Sequence, residues 1–223
     1  MSSLVEAIKL ASFPIHKEGY KFIIIFALAT IILSLLSDTL GLIGLVLTLW
    51  CIFFFRDPER IIPKDSDAII SPADGVITVI DKNVSAPDEL DLDDKKFTKI
   101  SIFLNVFNVH VNRVPAGGVI KKVAYQPGKF LSANDKDAST ENERNSVLLE
   151  IKKGKEVVFT QVAGLVARRI VSELKEGQKV LAGERYGIIR FGSRLDIYLP
   201  KEAEIKSQIG QTMIGGETII AKF

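Results

Sequence analysis

The 223 residues carry 29 Lys and Arg against 27 Asp and Glu, a formal net charge of +2, so no strongly basic face calls for nucleic acid. Hydrophobic residues make up 47% and charged residues 25%, and a mean hydropathy of +0.23 is high for so charged a chain, so the apolar excess is concentrated in one place. One cysteine, Cys51, and two histidines, His16 and His110, exclude an intramolecular disulfide and a Cys/His zinc cluster. No glycine-rich phosphate loop or dinucleotide fingerprint occurs either.

Between Phe22 and Phe55 the only charged side chain is Asp38. The Ser37-Asp38-Thr39 break separates two apolar runs, Phe22–Leu36 and Leu40–Phe55. A helix crossing the ~30 Å hydrocarbon core needs about 20 residues. Each run is slightly short alone, so either its flanks join in or the hairpin enters without fully crossing. A cleaved signal peptide would show one shorter run and a small-residue cleavage site. A buried hairpin in a soluble core is the blander reading, but the runs are too continuously apolar for helices with one solvated face. Lys9, Lys17 and Lys21 precede the pair, and Arg56, Arg60 and Lys64 follow it. Both ends of a hairpin lie on one side, and basic flanks favour the cytoplasmic side. Residues 1–55 are therefore expected to form a membrane-anchoring helical hairpin in the cell (inner) membrane. Residues 56–223 are expected to form one domain on its cytoplasmic side.

After Arg56 the composition changes. Short runs rich in Val, Ile and Phe alternate with Gly, Pro, Asp and Asn: Ala68–Ile70, Gly75–Ile80, Phe97–Val106, Val119–Tyr125, Ser146–Ile151, Glu156–Val162, Leu165–Val171, Arg185–Phe191, Arg194–Leu199 and Thr218–Phe223. Such runs predict a mainly β domain, an antiparallel barrel or sandwich. Ser85–Lys96, with five acidic residues, and Ser132–Asn145 read as solvated loops. Gly177-Gln178 and Gly183-Glu184 recur 33 residues later as Gly210-Gln211 and Gly216-Glu217, each pair leading into an apolar strand. This repeat resembles the hairpins of lipoyl and biotinyl carrier domains. The glycines alone say only that the turns need positive φ.

Three local features remain for chemistry. Ser71-Pro72-Ala73-Asp74-Gly75 puts a carboxylate in a turn between two strands. His110 stands near a strand end in Phe107–Pro115. Gly192-Ser193 lies between two apolar strands. Singly, these are a turn Asp, a core His and a Gly-Ser turn. Together, with Phe55-Arg56-Asp57-Pro58 before them and Asn142-Glu143-Arg144 between, they follow the motif order of phosphatidylserine decarboxylase proenzymes. The match spans Arg56 to the C-terminus and resembles the short form of that family, in which Arg follows the cleaved Gly-Ser.

The resemblance implies a carboxy-lyase that makes its own cofactor. Decarboxylating an amino acid leaves a carbanion, so an electron sink conjugated to the substrate amine is required. In the family route the Ser193 hydroxyl attacks the Gly192 carbonyl, and the peptide bond becomes an ester. Elimination releases Gly192 as a carboxylate, and residue 193 passes through dehydroalanine to a pyruvoyl group. The chain is then two associated pieces, 1–192 and 193–223. The pyruvoyl carbonyl forms a Schiff base with the amine of phosphatidylserine, and phosphatidylethanolamine and carbon dioxide leave. Ser193, His110 and Asp74 are the expected catalytic residues, with Ser193 as pyruvoyl precursor and no metal. The partners are a phospholipid, the membrane and the chain's own fragment, with an oligomer left open.

One departure matters. The longer family pattern carries a second histidine nearer the proline, and here that position is Arg113. Either His110 serves both self-cleavage and decarboxylation, or Asp74 and backbone strain suffice for cleavage. The expectation is that His110 does both. Arg56, Arg113, Arg144 and Arg194 are candidates for the lipid phosphate. The rival from another class is a membrane-fusion adaptor with lipoyl-like hairpins, which would need helical heptads that residues 80–170 lack. A decarboxylase of a related lipid such as archaetidylserine would use the same chemistry.

Overall fold

The computed structural model describes residues 13–92, 95–129, 131, 138–164, 169–190 and 193–223. The chain divides into two compact units, residues 1–59 and 60–223.

In the first unit, helices α1 (Tyr20–Leu36) and α2 (Asp38–Phe54) form an antiparallel hairpin about Ser37. Asp38 supplies a negative charge to the first turn of α2, where the helix dipole favours one. The helices meet through small residues. Gly41, Gly44, Thr48 and Cys51 are buried, and a Cβ added at Gly44 would lie 2.8 Å from Thr30 Oγ1. The hydroxyls of Thr30 and Thr48 hydrogen-bond across the pair at 2.9 Å. Large side chains such as Ile24, Leu28, Ile32, Leu35 and Leu42 point outward. Small residues at the contact and large apolar ones outside is the arrangement of helices packed in lipid. Lys17–Leu36 is long and apolar enough to cross a membrane, and Asp38–Phe54 is a shorter apolar helix. The two ends of the hairpin are tied together, with His16 N donating to Phe55 O and Asp57 N to Pro14 O.

The second unit is antiparallel β. Its strands are β1 (Ala68–Ile70), β2 (Gly75–Ser85), β3 (Lys96–Leu104), β4 (Val111–Arg113), β5 (Gly118–Gln126), β6 (Arg144–Glu150) and β7 (Glu156–Ala163). They continue with β8 (Ile170–Ser172), β9 (Lys179–Val180), β10 (Arg185–Ile189), β11 (Ser193–Pro200), β12 (Glu204–Ile205), β13 (Thr212–Met213) and β14 (Ile219–Lys222). A curled eight-stranded sheet runs β13-β2-β3-β11-β7-β6-β5-β9, and two three-stranded sheets, β1-β14-β12 and β4-β10-β8, complete a half-barrel. The mainly β expectation holds. Ile102, Val147, Leu149, Phe159, Leu195, Ile197 and Leu199 alternate onto the inner face and form the core.

The acidic segment expected as a solvated loop is partly packed. Strand β2 runs to Ser85, and Ala86 and Leu90 are buried against Phe97, Leu148, Val158 and Tyr198 on the outer face of the sheet. In the other expected loop, β6 begins at Arg144 and Asn142 is wholly buried, while residues 132–137 lie outside the described residues. The expected strand Leu165–Val171 is seen as Ile170–Ser172, with 165–168 outside the described residues, and Arg185–Phe191 ends at Ile189.

The repeat is a real structural duplication. Gly177 and Gly210 have φ of 79° and 85°, where L side chains are strained. Gly177 N donates to Ile120 O just as Gly210 N donates to Ile77 O, and Gly183 N to Val114 O as Gly216 N to Ser71 O. The partner segments repeat too: Pro72-Ala73-Asp74-Gly75-Val76-Ile77 answers Pro115-Ala116-Gly117-Gly118-Val119-Ile120. Between them Ile70 N donates to Pro115 O and Arg113 N donates to Pro72 O, a reciprocal pair about a local two-fold. Ile69 in one half thus answers Asn112 in the other, and Asp74 answers Gly117.

Candidate active site

Ser193 opens β11, the strand at the middle of the large sheet. It pairs with Leu104 of β3 on one side and Ala163 of β7 on the other. Because side chains alternate, Ser193 shares the inner face with Leu195 and Ile197. Ser193 is wholly buried and its Oγ has no hydrogen-bond partner among the described residues. A buried hydroxyl without a partner costs about 1–3 kcal/mol. Gly192 lies outside the described residues.

Near Ser193 the inner face turns from apolar to polar. Moving along β7 from its start, Val157 and Phe159 belong to the core, and then comes Gln161. On β6, Leu149 and Val147 precede Asn145 in the same way. Asn145 Nδ2 donates to Gln161 Oε1 at 3.2 Å, and Gln161 Nε2 donates to Asn112 Oδ1 at 2.9 Å. All three side chains are buried. Gln161 stands two residues from Ala163, so it is a diagonal neighbour of Ser193, about 7–8 Å away.

His110 immediately precedes β4 and is wholly buried. Its carbonyl accepts from Ile189 N at 3.4 Å, which sets it beside the chain that leads into residue 193. Nδ1 lies 3.0 Å from Asn108 O. A carbonyl can only accept, so the proton in the neutral ring belongs on Nδ1 and Nε2 carries the lone pair. That is the form able to take a proton.

Asp74 is held elsewhere. Its carboxylate accepts two hydrogen bonds from Arg60 Nη2, at 3.0 and 2.9 Å, and one from Gly215 N at 2.7 Å. Among the described residues it makes no hydrogen bond to His110 or Ser193. Arg113 flanks this cluster, since a Cβ added at Gly216 would lie 2.8 Å from Arg113 Cδ and 3.4 Å from Arg60 Cβ. Arg113 Nη1 donates to Gly183 O at 3.0 Å.

The arginines suggested for a phosphate are largely committed. Arg194 points to the outer face and pairs with Asp196, Nε to Oδ1 at 3.0 Å, with both side chains buried. Arg144 grips Glu89 through Nε and Nη2, each at 2.8 Å. Burial pushes the Glu89 carboxyl up, but hydrogen bonds from Arg144, its own backbone and Ser146 outweigh this and hold it below its ordinary range. Arg56 belongs to the first unit, where its guanidinium lies 3.7 Å from the centre of the Phe53 ring.

This end of the sheet therefore gathers a buried seryl hydroxyl, a histidine in the basic tautomer and a chain of neutral amide donors. An orphaned hydroxyl at the start of a doubly paired strand fits the precursor of a chain-derived carbonyl cofactor. A cleft of about 320 Å³ lined by Lys64, Ile69, Ala116, Ile151, Lys155 and Phe223 sits toward the other end of β6 and β7 and holds none of these groups. Sequence reasoning missed Arg60, Asn112, Asn145 and Gln161. For Gln161 a signal existed, because alternation in Val157–Ala163 turns it inward. The three-residue β4 has no period to read.

Comparison with known proteins agrees with the motif order. The sequence profile described as phosphatidylserine decarboxylase matches residues 47–221. The phosphatidylserine decarboxylase proenzyme of Rickettsia akari is 56% identical over 209 residues, 94% of this chain and 90% of that protein. The proenzymes of Rickettsia felis and Rickettsia typhi are 55% and 54% identical over the same shares of each chain.

Proposed function

The chain belongs to the phosphatidylserine decarboxylase family, and on that premise we propose that it is a self-processing carboxy-lyase converting phosphatidylserine to phosphatidylethanolamine and carbon dioxide. The observation that carries this is Ser193, fully buried at the head of the central strand with an Oγ that has no partner. Such a hydroxyl can attack the peptide carbonyl before it, turning the 192–193 amide into an ester. β-Elimination then frees the carboxylate of residue 192, and water converts the resulting dehydroalanine to a pyruvoyl group with release of ammonia. A pyruvoyl group supplies a carbonyl that captures an amine and accepts the electron pair released with carbon dioxide.

His110 takes the Ser193 proton through Nε2 during cutting, and later delivers a proton to the product carbon. Asp74 has a different task. With Arg60 and Gly215 it fixes the turn between β1 and β2, beside Arg113 at the position where the longer family pattern has histidine. After cutting, pieces 1–192 and 193–223 remain associated. The hairpin anchors the enzyme, and basic Lys17, Lys21 and Arg56 at its joined ends favour the cytoplasmic side of the inner membrane for residues 60–223. A fusion adaptor is not favoured, since the described residues between 80 and 170 form strands rather than long helices.

Denaturing electrophoresis with intact-mass measurement tests the reading directly. Purified protein should be two pieces that begin and end at residues 193 and 192, the shorter one with a blocked amino terminus. Ser193→Ala should stay whole and release no carbon dioxide. An active single chain would refute the proposal. Assaying phosphatidylserine against archaetidylserine separates the two lipid backbones.

A further inference from the structure

Asn112 is a polar residue where the fold asks for an apolar one. Its counterpart in the duplicated half is Ile69, which is 1% exposed and part of the main core. Asn112 is wholly buried, and its Nδ2 has no hydrogen-bond partner among the described residues. Nothing about packing requires this. An unsatisfied buried donor costs about 1–3 kcal/mol that an isoleucine would not.

Its orientation is fixed from the other side. The amide chain Asn145, Gln161, Asn112 donates in one direction only, and Gln161 Nε2 spends the Asn112 carbonyl at 2.9 Å. What is left over is a donor, Nδ2. Asn112 pairs with Gly187 of β10, and Gly187 pairs with Ser172 of β8. Cross-strand partners share a face, so Asn112 and Ser172 flank a position without a side chain. Ser172 Oγ is also buried and has no partner among the described residues. On the next row of this face Ile170 and Ile189 pack on Ala163, the residue directly opposite Ser193. Two partnerless neutral donors thus stand one row from the residues that pack on Ala163, the cross-strand partner of Ser193.

We propose that Asn112, oriented by Gln161 and assisted by Ser172, binds the carboxylate of the serine headgroup at residue 193. The inference rests on the decarboxylase reading above and deepens it. In a serine headgroup the amine and the carboxylate are attached to the same carbon. A headgroup whose amine faces residue 193 therefore brings its carboxylate within a side chain's length of that residue. Neutral donors suit a group that must lose its charge. A full cation would stabilise the ground-state carboxylate more than the departing carbon dioxide and raise the barrier, whereas an amide fixes its direction with less such penalty.

Asn112→Asp is the sharp test, because Asp keeps an oxygen for Gln161 Nε2 and exchanges the donor for an acceptor. Asn112→Ile, which copies Ile69, is the second variant. Full-length protein in detergent micelles is treated with phosphatidylserine or phosphatidylethanolamine and cyanoborohydride, and lipid attached to the 193–223 piece is weighed by mass spectrometry. Both variants should still be cut. The phosphatidylserine concentration for half-maximal trapping should rise about 10- to 100-fold, the loss of a hydrogen bond to a charged group. With phosphatidylethanolamine, which has no carboxylate, it should stay within about twofold of wild type. Equal losses with both lipids, no loss with either, uncut variants, or two variants that fail to fold would each overturn the assignment. If wild-type protein is uncut or traps neither lipid, the decarboxylase reading itself falls.

Discussion

Helix α1 buries none of its 17 residues, whereas β11 buries every residue from Ser193 to Leu199. In the hairpin, glycines and threonines meet while isoleucines and leucines face out. In the β unit, isoleucines and leucines meet, and Asn112, Asn145, Gln161 and Ser193 are buried polar side chains near one end of the sheet. The difference shows how to read a buried polar atom in each place. Thr30 and Thr48 satisfy each other across the hairpin, so their polarity is adhesive. Ser193 Oγ and Asn112 Nδ2 have no partner among the described residues, and on the proposed reading their polarity is held for a reaction and a ligand.

The contrast predicts separable losses. The largest follows from His110→Ala, which should slow both cutting and turnover by ~10²–10⁴-fold, the usual range for a general acid–base group. Cutting is read on a gel, and turnover as carbon dioxide released per cut molecule. Membrane retention should not change. If cutting keeps its wild-type rate while turnover fails, the proton acceptor for Ser193 lies elsewhere, with Asp74 the first to test. Deleting residues 1–55 should do the reverse. The remainder still cuts itself and works in micelles, but loses activity on lipid in bilayers by on the order of 10²-fold, the scale that tethering contributes. Loss of cutting in a folded remainder would make the hairpin part of maturation.

The smallest effect tests the strap on the outer face. Glu89→Gln should cost about 1–3 kcal/mol of stability at neutral pH by weakening its bonds to Arg144 and Ser146. The folded-state carboxyl titrates below its ordinary value of about 4.3. Its contribution is therefore complete above that pH and is lost as pH falls through the lower, folded-state value. Denaturant melts of the two proteins should differ at pH 7 and converge in acid. A constant gap would mean that the substitution acts through packing.

Much of this was legible in the residues. The apolar helical hairpin, the strand-rich domain, the Gly-Gln and Gly-Glu repeat and the motif order all follow from composition, alternation and spacing. What escaped was whatever depends on strands too short to show a period. Strands β4, β9, β12 and β13 have two or three residues each, and their partners are set by the local two-fold, not by their own sequence. Asn112 is invisible for that reason. The pairing of Arg60 with Asp74 escaped for another, since 14 residues and a strand separate them and no pattern links a lone arginine to a turn aspartate. Seen against Gly117, its counterpart, Asp74 is where the duplicated halves stop being alike.

Residues 193–223 do not sit on the rest of the β unit as a cap. Strand β11 is laced between β3 and β7, β13 is bonded to β2, and β14 is bonded to β1. On the proposed cut, the enzyme becomes two chains that dilution cannot part, because letting go at one seam leaves two others closed. It also becomes a protein that folds only once with ease. The uncut precursor assembles as a single chain, but the matured pieces, once stripped apart by denaturant, must find each other again in solution. Maturation then works as a ratchet: each active molecule carries a shape that only its unbroken ancestor could readily reach.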